Sequence, residues 1–272
     1  MDIINKFKNL LKFVKHGGVT YVTISQVKKE DSLAEKVILV TGGSSGIGYA
    51  IAEKALDCGA SVIITGRNET KLQKALSELK SEKVKGIVWD IEDCEHIAQN
   101  FQKATEIFGR IDIAINNAGV WSPKQWEQIN EADWDKILDI NLKGLFFMCQ
   151  AEALYFKQRK DLNKIINITS MDGIYAQFHP YNASKFGANG LTKGLARKMI
   201  NHNIVVNAIA PGPVRTELNE AFLQELGDNY YWSQPLNKRF VLKEEIAEMT
   251  AFLCSDAANA IVGQVISVDG GF

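Results

Sequence analysis

The sequence has few of the residues that build metal sites, covalent scaffolds or linkers. Its four cysteines, Cys58, Cys94, Cys149 and Cys254, lie far apart, without a CxxC pair or a histidine at ligand spacing. This spacing indicates neither a zinc motif nor a disulfide framework. Cysteines scattered in this way are typical of reduced core residues, so we expect a cytoplasmic protein that binds no metal. The five prolines form no linker that would divide the chain.

Long apolar runs and a strong net charge are lacking as well. No stretch approaches the roughly 20 apolar residues that cross a bilayer. A formal net charge of −1 gives no basic field for nucleic acid or for an anionic membrane. The N-terminus does not resemble a signal peptide, because Lys6, Lys8, Lys12 and Lys15 interrupt its apolar segment. We therefore expect no nucleic-acid partner and no transmembrane segment.

From residue 36 onward, short runs rich in Val and Ile alternate with helical stripes. Ile97, Phe101, Ala104 and Phe108 form one such stripe, with spacings of four, three and four. The runs are typical of strands buried on both faces. The predicted strands are Val37–Thr41, Ser61–Thr65, Val84–Trp89, Ile111–Asn116, Lys164–Thr169, Val205–Ile209 and Val265–Val268. This alternation predicts one α/β domain over residues 36–272, with a doubly wound parallel seven-stranded sheet and helices on both faces.

Residues 1–35 do not share this alternation and are predicted to form an N-terminal extension. Ile3, Phe7, Leu10, Leu11 and Val14 form a helical stripe with lysines on the other faces, and residues 19–27 fit a short strand. We expect the helix to pack on the body of the protein or on a sister subunit. The alternative is a basic amphipathic helix that lies on a membrane surface.

A glycine-rich turn follows the first strand and leads into a helix-forming segment. It reads Gly42-Gly-Ser-Ser-Gly46-Ile-Gly48. Glycine allows positive φ and lets a pyrophosphate approach the main chain, and the following helix N-terminus favours negative charge. No Lys-Ser/Thr pair follows, which excludes a P-loop. The turn therefore predicts a dinucleotide site that includes Gly42, Ser44, Ser45, Gly46, Ile47 and Gly48.

The end of the second strand indicates which dinucleotide is preferred. About 20 residues after the glycine turn, an NAD site usually has a carboxylate for the ribose 2′-hydroxyl. This chain has Thr65-Gly66-Arg67-Asn68 instead. Arg67 is placed to pair with a 2′-phosphate, which predicts NADP(H) in preference to NAD(H). The alternative is that Arg67 is a solvated surface residue and that Asn68 caps the next helix.

Tyr181-Asn-Ala-Ser-Lys185 places a phenol and an amine on one helical face, one turn apart. A nearby ammonium favours the phenolate and lowers the pKa of a tyrosine. Such a tyrosine can give a proton to a carbonyl oxygen or take one from an alcohol. One YxxxK pair is expected by chance in a chain of this size, so the pair gains meaning only from its surroundings.

Several further motifs accompany the pair. Two strands end in Asn116-Asn-Ala-Gly119 and in Thr169-Ser170, at the edge where open α/β sheets bind ligands. With the glycine turn, Asp90, Asn141, Pro211-Gly212 and Val268-Asp-Gly-Gly271, they follow the order found in the short-chain dehydrogenase/reductase family. Residues 35–272 resemble that family. The resemblance implies a Rossmann fold and a homodimer or homotetramer.

The resemblance also implies roles for the matching residues. Ser170 would bond the substrate oxygen, Tyr181 would pass the proton, and Lys185 would hold the nicotinamide ribose and lower the tyrosine pKa. Asn141 would support a water-linked proton relay, unless it is an ordinary polar helix residue. Asp90 would meet the adenine, unless it is a helix cap, and Asn117 the adenosine ribose. Further cofactor contacts would come from Ile91, Ala118, Gly119, Pro211, Gly212, Val214 and Thr216.

The substrate side departs from the family pattern. The stretch from Ser170 to Tyr181 is two residues shorter than the common spacing, so we expect Thr169 to share the hydroxyl role. Residues at about 213–242, with Tyr230, Tyr231 and Trp232, are predicted to form a lid. Other substrate contacts are expected from Trp121, Trp126, Asp172, Tyr175, Phe178 and His179.

These expectations combine into one predicted activity, hydride transfer between NAD(P) and a carbonyl or secondary alcohol, with Tyr181 as the acid and base. A sugar or polyol dehydrogenase that works in the oxidative direction is an alternative. Another is a non-catalytic binding protein that senses NADP(H). A pure sensor has no need of a tuned phenol beside an amine, which favours the enzyme.

Overall fold

The computed structural model describes residues 32–220 and 235–272. Its strands are β1 (Val37–Val40), β2 (Ser61–Gly66), β3 (Val84–Val88), β4 (Ile113–Asn116), β5 (Asn163–Ile168), β6 (Ile204–Pro211) and β7 (Val265–Val268). Each predicted strand is confirmed, and no strand end is shifted by more than about two residues, the usual uncertainty of such boundaries. Hydrophobic runs of Val and Ile therefore located the sheet correctly.

Helices follow the strands in the expected alternation. They are α1 (Gly46–Asp57), α2 (Glu69–Leu79), α3 (Ile97–Ile107), α4 (Glu131–Leu138), α5 (Leu145–Phe156), α6 (Pro180–Met199) and α7 (Lys243–Cys254). A π-helical segment, Asp139–Gly144, joins α4 to α5. Short 3-10 helices include Trp126–Gln128 and Met171–Gly173. No helix in the described ranges is long and apolar enough to span a membrane.

The seven strands form one sheet in the order β3-β2-β1-β4-β5-β6-β7, and all neighbouring pairs are parallel. The chain moves outward from β1 to β3 and then crosses to β4 on the other side of β1. This reversal creates a crevice at the carboxyl ends of β1 and β4, which is where open α/β sheets bind ligands. The predicted doubly wound parallel sheet is confirmed.

Alternate residues of the strands build two apolar cores. In β1, Ile38 and Val40 join the core beneath α1, α2 and α7, whereas Val37 and Leu39 join the core beneath α3, α5 and α6. Side chains of a strand alternate between faces, so a strand covered on both sides is apolar throughout. Both cores support the same carboxyl edge of the sheet.

The two predicted peripheral segments lie partly outside the described residues. The helical stripe and short strand of the extension fall within residues 1–31, and Tyr230, Tyr231 and Trp232 fall within 221–234. Leu33 is buried in the first core, and its N–H donates to the Cys58 carbonyl at 2.9 Å. At the base of the predicted lid, Val241 N–H donates to the Pro213 carbonyl at 2.9 Å.

Candidate active site

The glycine turn connects β1 to α1 at the carboxyl edge of the sheet. Gly42 and Gly46 have φ angles of +64° and +57°, a region that favours glycine. A Cβ at position 48 would overlap the Asn117 side chain and the Gly42 carbonyl. The first turn of α1 carries no acidic side chain. Its unpaired N–H groups and helix dipole suit a phosphate.

Asn117 and Thr41 hold this turn in place. Thr41 Oγ1 accepts hydrogen bonds from the backbone N–H groups of Asn117 and Ala118 at 3.0 and 3.1 Å. Asn117 Nδ2 donates to the carbonyls of Thr41 and Gly42 at 3.0 and 3.1 Å. Asn117 lines the cleft as expected, but its amide nitrogen is already engaged by the turn.

Arg67 lies at the end of β2, beside the glycine turn. It is exposed and lines the cleft, and no carboxylate in the described part of the chain pairs with it. The neighbouring Asn68 caps α2, because its Oδ1 accepts from Lys71 N–H at 2.9 Å. Arg67 is therefore positioned to meet an anion, while Asn68 has the capping role considered as an alternative.

Asp90 and Ile91 follow β3 and form the neighbouring wall. Asp90 is exposed and lines the cleft, and its Oδ1 also accepts from Glu92 N–H at 3.1 Å. This bond lies in the turn after β3 and does not cap a helix, because the N-cap of the 3-10 helix that follows is Asp93. The second carboxylate oxygen of Asp90 has no hydrogen bond to a described residue. Ile91 is buried and supplies an apolar surface.

Ser170, Tyr181 and Lys185 meet beyond the end of β5. His179 Nδ1 accepts from Tyr181 N–H at 3.1 Å, which caps α6 and fixes the start of the helix. Lys185 Nζ lies 5.5 Å from the centre of the Tyr181 ring and donates to the Ile168 carbonyl at 3.2 Å. The Ser170 hydroxyl lies close enough to the Tyr181 phenol to influence its pKa. The predicted constellation is therefore assembled in one place.

The electrostatics of this group differ from the expectation. Burial is the largest influence on Tyr181 and raises its pKa well above the usual value of 10, and the Asp172 charge adds to the rise. The Ser170 hydroxyl acts in the opposite direction. Burial lowers the pKa of Lys185 to about 8, so its amine stays mostly protonated at pH 7. The expected net lowering of the tyrosine pKa is wrong for the protein alone, because burial and the Asp172 charge outweigh the influences that favour the phenolate.

Asn141 lies in the π-helical segment and does not face the cleft directly. Its Oδ1 accepts from Val120 N–H at 2.8 Å, and its Nδ2 donates to the Val120 carbonyl at 2.8 Å. A Cβ at Gly119 would lie 3.3 Å from Asn141 Oδ1 and 3.7 Å from Lys185 Nζ. Asn141 thus positions the segment after β4 against Lys185. Its part in a water-linked relay stays a prediction.

The segment after β6 closes one side of the glycine turn. Gly212 N–H donates to the Val268 carbonyl at 2.9 Å, which fixes the start of this segment on β7. Thr216 lies against Gly46, where a Cβ would be 3.6 Å from Thr216 Cγ2. Pro211, Gly212, Val214 and Thr216 all line the cleft, where further cofactor contacts were expected.

Thr169 does not share the hydroxyl role that the short spacing suggested. Its Oγ1 donates to the Ile209 carbonyl on β6 at 3.2 Å, and its side chain is buried. Ser170 accepts from Asp172 N–H at 3.1 Å and so begins the 3-10 helix Met171–Gly173. The shortened segment therefore leaves Ser170 as the hydroxyl beside Tyr181.

One cleft of about 1040 Å³ joins these parts. Every predicted catalytic and cofactor-binding residue except Gly48 and Asn141 lines it. Gly48 packs beneath the glycine turn, and Asn141 positions the segment after β4. Trp126 and Phe178 form an edge-to-face pair at its rim, with ring centres 5.7 Å apart. Trp121 and His179 also line the cleft, whereas Tyr175 instead donates its hydroxyl to the Phe272 carbonyl at 2.7 Å.

Sequence reasoning missed how Asp172 is held. Its Oδ2 accepts from Ser170 Oγ at 3.2 Å, and its Oδ1 accepts from Asn182 Nδ2 at 3.1 Å. Asn182 is buried, and its Nδ2 also donates to the Asp172 carbonyl at 3.1 Å. The available signal was an acidic residue two positions after the serine at a strand end, followed by an asparagine directly after the tyrosine.

Known proteins resemble this chain over nearly its whole length. A family model described as enoyl-(acyl carrier protein) reductase matches residues 42–272. The 3-oxoacyl-[acyl-carrier-protein] reductase FabG of Aquifex aeolicus is 35% identical over 89% of this chain and 99% of its own. Gluconate 5-dehydrogenase of Gluconobacter oxydans is 35% identical over 88% of this chain and 95% of its own. A solved structure of actinorhodin polyketide ketoreductase with NADPH is 29% identical, with a TM-score of 0.80 and coverage of 89% of this chain and 98% of its own.

Proposed function

The chain belongs to the short-chain dehydrogenase/reductase family and is an NAD(P)-dependent oxidoreductase; on this basis we propose that it prefers NADP(H) and that Tyr181 carries out the proton transfer. The reaction interconverts a carbonyl compound and an alcohol. The names of the relatives favour an enzyme over a protein that only senses the cofactor.

One observation carries the proposal: Tyr181, one helical turn from Lys185 and close to Ser170, lines the same cleft as the glycine turn. Phenol, hydroxyl and amine thus lie at the inner end of a cleft whose outer end suits a dinucleotide phosphate. A sugar or polyol would be handled by the same groups in the oxidative direction.

Each residue has a separate role in the reaction. A nicotinamide cofactor held in this cleft would supply or accept the hydride. Ser170 holds the substrate oxygen. Tyr181 gives its hydroxyl proton to that oxygen in reduction, or removes the proton from the alcohol in oxidation. Lys185 lies close enough to Tyr181 to stabilise the phenolate that is formed, since a cation near a phenolate favours it.

The cofactor would be held along the carboxyl edge of the sheet. Ser44, Ser45, Gly46 and Ile47 offer the α1 N-terminus to the pyrophosphate. Arg67, exposed and without a carboxylate partner among the described residues, supports a 2′-phosphate at the adenosine end. The ketoreductase with NADPH shows that a protein of this fold accepts that cofactor.

Assembly and location are part of the same proposal. Helices α4, α5 and α6 expose Trp134, Phe146 and Phe186, each more than two-fifths accessible, and we expect these faces to pair in a homodimer or homotetramer. Light scattering coupled to size exclusion tests this. The four cysteines are free, and three of them are buried, which supports a reducing, cytoplasmic location.

The experiment is a substrate panel followed at 340 nm. Purified protein is mixed with NADPH or NADH and with simple ketones, keto sugars or β-ketoacyl thioesters, and the corresponding alcohols are tested with NADP⁺ and NAD⁺. We expect turnover with at least one class, and faster turnover with the phosphorylated cofactor. Tight cofactor binding without turnover on any class would favour the sensing protein instead.

A further inference from the structure

The inner end of the cleft contains a carboxylate that the proton transfer does not use. Asp90, Asp172 and Glu217 are the acidic residues that line the described part of the cleft. Asp90 lies on the adenosine side, and Glu217 pairs with Lys71 there at 2.7 Å. Of these three, Asp172 lies beside the reacting groups, because its Oδ2 is 3.2 Å from Ser170 Oγ.

Asp172 is held rigidly but is not saturated. One hydrogen bond from Ser170 reaches Oδ2, and one from Asn182 reaches Oδ1. An ionised carboxylate can accept about four hydrogen bonds. No other described side chain donates to these oxygens, and the residue is only half-buried and borders the cleft. Acceptor capacity therefore remains on a carboxylate that lines the cleft.

The location of the free acceptor positions on Asp172 determines which substrate groups can reach them. Ser170 is the proposed partner of the reacting oxygen, and Asp172 lies one hydrogen-bond length from Ser170. Two oxygens on neighbouring carbon atoms are also about one hydrogen-bond length apart. A substrate whose first oxygen meets Ser170 would thus bring a hydroxyl on the next carbon to Asp172.

We propose that Asp172 is a specificity-determining residue that selects substrates with a hydroxyl group on the carbon next to the reacting carbon. This inference rests on the proposed function, since it assigns a substrate class, vicinal hydroxy ketones and diols, to the same site. A neutral hydroxyl fits better than an ammonium group, because the Lys185 cation already interacts electrostatically with this carboxylate. A carboxylate at the same place is repelled.

The contact between a substrate hydroxyl and Asp172 would favour vicinal hydroxy ketones in turnover as well as in binding. In the protein alone, the Ser170 hydroxyl directs its hydrogen to Asp172. A substrate hydroxyl that donates to a free acceptor position of Asp172 partly neutralises the carboxylate and weakens its bond to Ser170, so the Ser170 hydrogen can turn to the reacting oxygen. A ketone without the hydroxyl lacks this contact and leaves Ser170 bound to Asp172. The effect should therefore be seen in kcat as well as in KM.

Three ketones with the same ethyl ketone unit provide the test: 1-hydroxy-2-butanone, 3-pentanone and 2-oxobutanoate. They carry hydroxymethyl, ethyl and carboxylate groups at the position in question. We expect wild-type kcat/KM to favour the hydroxy ketone over 3-pentanone by about 10- to 100-fold, the effect of one hydrogen bond to a charged acceptor. We expect 2-oxobutanoate to be the poorest of the three.

The variant Asp172→Asn should lower the preference for the hydroxy ketone by about tenfold and improve the relative rate with 2-oxobutanoate. Glu127→Gln is the matched control, because it makes the same change at an exposed rim residue that does not line the cleft, and its substrate ratios should equal those of the wild type. The wild-type ratios require no variant, so they test the inference even if the Asp172→Asn protein fails to fold.

The outcomes separate the two claims. Turnover of 3-pentanone at least as efficient as that of the hydroxy ketone overturns the role of Asp172 and leaves the proposed function intact. The same holds if the folded variant keeps the wild-type ratio. Failure to oxidise either nicotinamide cofactor with these ketones and with the whole panel contradicts the proposed function, and the inference with it.

Discussion

Replacing Arg67 with alanine should change which nicotinamide cofactor the enzyme prefers. Arg67 directly follows β2 and lines the outer part of the cleft, where it is exposed and has no carboxylate partner in the described ranges. Its charge is therefore available to a 2′-phosphate, which only NADP(H) carries. The substitution removes that partner but leaves the capping bond of Asn68, which holds α2 in place.

The size of the effect follows from the exposure of the guanidinium group. A hydrogen bond to a charged group contributes about 1.5–3 kcal/mol, and solvent screening favours the lower end at an exposed site. A loss of about 1.5–2 kcal/mol corresponds to a fall of about 10- to 30-fold in kcat/KM for NADPH. The value for NADH should stay within about twofold, because its adenosine ribose carries no phosphate.

The assay compares kcat/KM for the two cofactors at saturating substrate, at low and at high salt. The NADPH advantage of the wild type should shrink as salt rises, since screening weakens an exposed ion pair. Arg197→Ala, an exposed arginine in the last turn of α6 that does not line the cleft, controls for the change in net charge. A wild type that uses NADH tenfold better than NADPH would refute the reasoning.

Three further predictions concern groups behind the cleft. Gly48→Ala forces a Cβ against Asn117 and should weaken cofactor binding at least tenfold by titration, with a loss of stability of about 1–3 kcal/mol. Asn141→Ala leaves the Val120 backbone groups without their partners. It should lower the free energy of unfolding by about 1–3 kcal/mol in a denaturant titration, and it should also lower kcat. An unchanged kcat would contradict the positioning role of Asn141. Glu152 of α5 is fully buried, and its Oε2 accepts from Asn116 Nδ2 at 3.0 Å. Burial raises the pKa of Glu152 to about 8, so the folded protein binds a proton that the unfolded chain releases above about pH 4.5. Wild-type stability should therefore fall relative to Glu152→Gln as pH rises to about 8, by at most about 1.4 kcal/mol per pH unit, and a difference independent of pH would refute this.

The fold was predictable because its strongest signals are local. A strand covered on both faces must be apolar throughout, so runs such as that of β5 were visible without tertiary information. The glycine turn and the Tyr181–Lys185 spacing are local too, since each depends on one loop or one helical turn. Strand order and the meeting of the catalytic groups then followed from parallel winding.

The electrostatics were not predictable from the same signals. Whether Lys185 lowers the pKa of Tyr181 depends on the burial of both groups and on the nearby Asp172, and these come from the packing of the short 3-10 helix after β5. The engagement of Thr169 by the β6 backbone likewise depends on a neighbour 40 residues away. Sequence spacing alone contains neither fact.

The proton transfer by Tyr181 is tested most directly by Tyr181→Phe, which removes one hydroxyl group and preserves the ring. NADPH oxidation at 340 nm, with the best substrate of the panel, should fall by at least about 1000-fold, within the range that a lost general acid costs. NADPH affinity, measured by fluorescence titration of the same protein, should change by less than about threefold. A phenylalanine variant that binds NADPH and still turns over at a rate close to the wild type would contradict the account.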